Sequence, residues 1–168
     1  TVIVEDGTIV PGSNSYATTA DANAYFLDTG QITAITDADM ILSGQFVDSE
    51  YGYRYKGLLV NGDTQSMLFP RTNFVDNNGR TVYSGTIPTS LINAQYQAAL
   101  LASQGVPLSD NAASDSQLSS FTKTVEGAVS KSESYFAPVD RSPTAYILGY
   151  ISPIIELYAP YQGVAVRG

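Results

Sequence analysis

The order Leu68-Phe69-Pro70-Arg71, Asp76-Asn77-Asn78-Gly79-Arg80 and Ile87-Pro88, followed by an Ala/Leu/Gln-rich run to Gln104, decides the fold of this chain. It reads as an extended segment, a tight turn and a helix opened by proline. Asp, Asn and Gly supply the positive-φ positions that a hairpin-like loop needs. Phe69 and Phe74 bury on this reading, while Arg71 and Arg80 reach outward. The stretch is a shaped structural element and holds no chemical constellation.

Working outward, three segments carry helix punctuation. Thr18-x-x-Asp21 and Thr36-x-x-Asp39 have the form of capping boxes with Asp in place of Glu,. The first precedes Ala22, Tyr25 and Phe26 and predicts a helix ending near Gly30; the second precedes Met40, Gly44, Val47, Tyr51 and Tyr55 and predicts one ending at Gly52 or Gly57. From Pro88 to Gly105 the apolar positions Leu91, Ala94, Ala98 and Leu101 run beside Ile92, Tyr96 and Ala99. That face is broad enough to lie between two partners.

The rest is extended or short. Val2-Ile3-Val4 suggests an N-terminal strand or arm, and Pro107 to Ser120 a polar loop,. The alternation from Phe121 to Phe136 around Gly127 predicts a projecting β-hairpin,. Ser142-Pro143 starts a helix through Tyr150 and Ser152-Pro153 restarts one through Tyr158, giving a kinked C-terminal pair,. The expected fold is mainly α: a small helical bundle with an extended N-terminal arm, a projecting hairpin and a kinked C-terminal helical segment. It is read as one domain over 1–168, with a helical body at about 14–105, the hairpin at about 121–136 and the C-terminal arm at about 142–160,.

Composition removes most familiar active sites. The 168 residues include no Cys and no His, so thiolate and imidazole chemistry are excluded,. Sixteen acids against eight bases leave a net charge of −8, which opposes a free-standing duplex-DNA binder,. No apolar run approaches the roughly 20 residues of a membrane span, and the N-terminus lacks the basic start of a signal peptide. The expectation is synthesis in the cytoplasm, no membrane partner, no enzyme activity, no cofactor and no metal.

Short motifs do not change this. Ser120-x-x-Lys123 and Ser109-Asp110-Asn111 echo penicillin-recognising serine enzymes, but in the wrong order and with no separate Lys-Thr-Gly following,. Asp76-Asn77-Asn78-Gly79 has Gly fourth where an EF-hand loop has it sixth, so a polar turn is the better reading,. Tyr51, Tyr53, Arg54, Tyr55 and Lys56 place rings beside cations, as single-stranded nucleic acid requires,. Against that, Tyr51 and Tyr55 continue the helical stripe from Val47 into a core, and Arg54, Lys56, Arg71 and Arg80 suit acidic neighbours on another subunit.

Taken in order, Asn14-Ser15-Tyr16, Asp21-Ala22-x-Ala24-Tyr25-Phe26, Tyr53-Arg54-Tyr55-Lys56-Gly57, Leu68-x-Pro70-Arg71, Asp76-x-x-Gly79-Arg80, Ile87-Pro88 and the helix from Asn93-Ala94-Gln95 to Leu101 resemble the head-to-tail adaptor proteins of tailed bacteriophages, also called head completion or connector proteins. Phe69 stands where members commonly have Trp, and the segment from Ser142 to Ala159 is longer here. The resemblance implies a structural virion protein at the head–tail interface, about twelve copies of which form a ring that joins the portal to tail or neck proteins and continues the channel for passing genomic DNA. Members are also labelled DnaT-like single-stranded-DNA-binding proteins, and that phage-replication role is the alternative. On the connector reading Tyr53, Arg54, Arg71 and Arg80 make subunit contacts. Tyr146, Tyr150, Ile154 and Tyr158 dock the portal, on a segment the body folds without.

Overall fold

A computed structural model describes residues 1–31, 34–108, 120–123, 131–134 and 143–156. The described chain is mainly α with small antiparallel hairpins. Helix α1 spans Thr19–Asp28 and α2 spans Asp37–Tyr51. Thr18 is extended and its hydroxyl accepts from the Asp21 N–H at 3.0 Å, which starts α1. At Thr36 the box is complete: its hydroxyl accepts from the Asp39 N–H and the Asp39 carboxylate accepts from the Thr36 N–H. The shorter Asp thus reaches back as Glu ordinarily does. Asn23 ties the helices together, exchanging two bonds of 3.0 Å with the main chain of Ile35.

Helix α3 spans Thr89–Ser103 and follows Pro88, whose fixed φ suits the entry to a helix,. It lies between two cores, as its broad apolar face requires. Leu91, Ala94 and Ala98 pack with Val47, Tyr51, Tyr55 and Phe69, while Tyr96 and Ala99 pack with Ala22, Phe26, Ile35 and Met40. Ile92 borders both. Gly44 lets α2 close on this junction, since a Cβ there would stand 2.9 Å from the Asn14 carbonyl oxygen.

The C-terminal segment departs from expectation. Helix α4 spans Pro143–Ile151, and a 3₁₀ turn at Ser152–Ile154 replaces the second helix expected through Tyr158. Pro153 sits in the first positions of that turn and Ile155 is already extended. Ile147, Ile151, Ile154 and Ile155 lie in the main core with α3, Tyr55 and Phe69. The segment is therefore part of the body, and the expectation of a separate arm is corrected. Its four isoleucines are covered by the chain itself, while Tyr146 and Leu148 face outward.

The N-terminal strand is reduced to a single parallel bridge between Val4 and Ser15. What orders the arm is Glu5, fully buried, whose carboxylate accepts from the N–H groups of Gly7, Ile9 and Val10 and the Ser13 hydroxyl at 2.9–3.3 Å. The first hairpin pairs β1 (Phe74–Val75) with β2 (Thr81–Val82) around the Asp76–Arg80 turn. The second pairs β3 (Ser120–Lys123) with β4 (Lys131–Ser134), close to the range the alternation indicated. Most of the polar loop after Leu108, together with Tyr158, lies outside the described residues.

Candidate nucleic-acid interface

Four short extended stretches form a ribbon beside the bundle. The Glu156 N–H donates to the Arg54 carbonyl at 2.8 Å and the Lys56 N–H to that of Ile154 at 3.0 Å, so 154–156 pairs with 54–56. Leu59 bridges Arg71, Thr72 donates to the Leu58 carbonyl, and β1 pairs with β2. Gly57, at φ +76°, makes the bend between these pairings; a Cβ there would meet the Thr72 carbonyl oxygen at 2.8 Å,.

Asn77 fastens the hairpin turn to the C-terminal segment. Its amide donates to the carbonyls of Ser152 and Ile155, its own N–H donates to that of Pro153, and its side-chain oxygen accepts from Lys56 Nζ at 2.6 Å. Asp76 closes the turn by accepting from the N–H groups of Asn78 and Arg80. Arg54 donates through Nε and one Nη to the Glu156 carbonyl. Neutral acceptors fix Arg54 and Lys56 in place without cancelling their charge.

Charge and exposed rings gather here. Residues 1–50 hold eight acids and no Lys or Arg, whereas 51–108 hold Arg54, Lys56, Arg71 and Arg80 against Asp63 and Asp76, and the ribbon's last stretch adds the exposed Glu156. Tyr53 is 80% and Tyr83 65% exposed, and Arg80 is exposed. A groove of about 520 Å³ opens between the hairpin, the start of α3 and the end of α4, with Arg80, Tyr83, Asn93 and Tyr150 on its walls and Ile87 and Ile154 beneath. Its size falls within the roughly 300–1,000 Å³ of small-ligand sites.

Arg71 does not join the other cations, contrary to its expected outward reach. It turns in over the Tyr55 ring, 5.8 Å from the centroid, and donates to the carbonyls of Gly57 and Leu68. Beneath it Asp48 accepts from the Tyr16 hydroxyl at 2.7 and 2.8 Å and from the Leu68 N–H at 3.0 Å, and lies 3.3 Å from the Tyr55 hydroxyl. Burial, and after it the Asp48 charge, holds both phenols well above the ordinary tyrosine value. Burial lifts Asp48 from 3.8 to about 6, against the opposing pull of the Leu68 N–H, the two phenols and the Arg71 charge.

That shift has a definite sign in stability. The folded protein keeps the Asp48 proton after the unfolded chain has released it, so this contribution is complete below about pH 4 and is lost as pH rises through about 6,. Asp48→Asn is expected to flatten that fall, worth at most about 3 kcal/mol. The difference between the melting midpoints of wild type and variant across pH 4–7 isolates it from the other carboxylates. A parallel pair of curves would refute the assignment.

The sequence-predicted subunit contacts thus divide: Tyr53, Arg54 and Arg80 belong to the ribbon and its hairpin, and Arg71 is half-buried structure. Of the residues assigned to portal docking, Ile154 is 1% exposed and cannot dock, Tyr150 lines the groove, and Tyr146 is 61% exposed and packs on Tyr150. Sequence reasoning passed over Tyr83 and Asn93. The available signals were an aromatic just past the hairpin and an amide interrupting the apolar run of α3.

These features define a mainly α protein carrying a basic, aromatic ribbon. The chain matches over residues 1–167 the family described as "Putative DnaT-like ssDNA binding protein", and it belongs to that family. No curated protein and no solved structure matches it. The family match overturns the connector reading of the sequence: the description that covers the whole chain concerns single-stranded DNA, as the alternative had it, and not a structural virion ring.

Proposed function

We propose that the protein binds single-stranded DNA along the ribbon, with Arg54, Lys56 and Arg80 meeting phosphates and Tyr53 and Tyr83 offering faces for bases. The family match over residues 1–167 is the observation that carries this reading. The local chemistry supports it, since exposed rings interleaved with cations are what an unpaired strand engages. A duplex hides its base faces and presents denser charge to a chain of net −8,. The reading is one of binding and assigns no reaction.

Fluorescence anisotropy with labelled single strands and duplexes of equal length tests it. Three phosphate contacts predict a slope of log affinity against log salt near −2, and Arg80→Ala should reduce its magnitude by about 0.7. Tyr83→Ala should weaken binding about 5- to 100-fold through a lost stack. Equal affinity for duplex, or variants that bind like wild type, would defeat the proposal.

A further inference from the structure

We infer that the groove beside the ribbon seats one base of the bound strand and favours adenine through Asn93, an inference that rests on the single-stranded-DNA reading. The groove is more than a gap between elements. Tyr83, from the end of the hairpin, and Tyr150, from α4, line it together with the apolar side chains of Ile87 and Ile154. Asn93, one helical turn beyond Thr89 on α3, lines it as well. Among the described residues its carboxamide makes no hydrogen bond, while the amide groups of Asn77 and Asn23 donate to main-chain carbonyls. A half-buried amide left open on the wall of a groove of mixed lining, apolar at Ile87 and Ile154 and charged at Asp76 and Arg80, is equipped to read a flat, polar-edged ligand,.

A carboxamide presents one donor and one acceptor side by side, and adenine returns the complementary pair from N6–H and N7. Adenine repeats that pair at N6–H and N1, so two orientations of the base are productive. Thymine, at N3–H with O4 or O2, and cytosine, at N4–H with N3, offer such pairs on the pairing edge alone, so of these three bases only adenine can be read from a second edge. The larger ring system of a purine also covers more of a tyrosine face. Arg80, on the same groove, is placed to meet the phosphate of the seated nucleotide.

Equal-length oligo-dA, oligo-dC and oligo-dT, titrated by anisotropy in one buffer, test the seat. Oligo-dA is expected to bind about fivefold or more tighter than oligo-dT, the lower end of what a bidentate amide contact discriminates. Asn93→Ala should bring that ratio to about one, weakening oligo-dA about fivefold or more and oligo-dT by less, with the melting midpoint unchanged. Asn93→Asp, which keeps the size, removes the donor and adds a charge that repels every strand, should likewise bring the ratio to about one while lowering all the affinities, and serves if the alanine variant folds poorly. Equal affinities in wild type, or a dA preference that survives both substitutions, would overturn the seat and leave the single-stranded-DNA reading standing. Failure of all three oligomers to bind would remove both.

Discussion

A chain cut before Pro143 is expected to lose its cooperative melting transition altogether. The lost segment carries Ile147, Ile151, Ile154 and Ile155, each 0–1% exposed. Replacing one such residue by alanine costs roughly 2–5 kcal/mol, while a whole domain is held by about 5–15 kcal/mol. Removing four also uncovers Leu91, Ala94 and Ala98 on α3 and the rings of Tyr55 and Phe69. Circular dichroism melts and dye binding to exposed apolar surface measure the outcome. A sigmoidal transition at an unchanged midpoint would show instead that the earlier helices suffice, as the docking-arm expectation held. Ile151→Ala in the full chain gives the graded version, a destabilisation of about 2–5 kcal/mol.

Gln95→Leu is expected to cost about 3 kcal/mol although it conserves volume and adds apolar surface. Gln95 is fully buried where the N-terminal loop, α2 and α3 meet. Its side-chain oxygen accepts from the Tyr16 N–H at 2.9 Å, and its amide donates to the Ser15 hydroxyl and the Met40 carbonyl at 2.8 Å each. Leucine strands the Tyr16 N–H without an acceptor, and an unsatisfied buried donor costs about 1–3 kcal/mol beyond the bonds lost. For a domain of this size that lowers the melting midpoint by roughly 6–12 °C. Gln95→Glu retains the acceptor for Tyr16 but faces Met40 and Ser15 with a second oxygen, so its deficit should shrink on acidification. A leucine variant as stable as wild type would mean that this junction tolerates dry packing.

The helices were legible because their signals are local: a Thr three residues before an Asp, a Pro at the entry, an apolar face wide enough for two neighbours. The Asp76–Arg80 turn was legible for the same reason. What the sequence concealed depends on meetings between distant residues. Arg71 turns inward because Asp48 and Tyr55 wait there, and nothing near Arg71 in the chain announces them. Ile154 has the composition of a docking surface, and only the placement of Tyr55 and Phe69 makes it core. Gln95 and Glu5 are polar residues that a hydropathy reading leaves in solvent, yet each is buried by the donors and acceptors around it. The candidate site followed the same division. The ring-and-cation cluster at Tyr53 to Lys56 could be read directly, whereas Tyr83 and Asn93 gained meaning only when the hairpin came to lie beside α3 and α4.

The fifteen residues of α2 set a distance between opposite charges. Asp37 and Asp39 stand at its start, joined to α1 through the Thr19 hydroxyl, and Tyr51 at its end leads into the ribbon. At about 1.5 Å per residue that is roughly 22 Å, nearly three screening lengths at physiological salt but less than one, about 30 Å, at 0.01 M. In cellular ionic strength a strand on the ribbon senses the nearby arginines and lysine and is shielded from the acids at the far end of the helix. In dilute buffer the same strand feels those acids as well, so the gain in affinity on withdrawing salt becomes shallower there than the slope set by the ribbon's own cations.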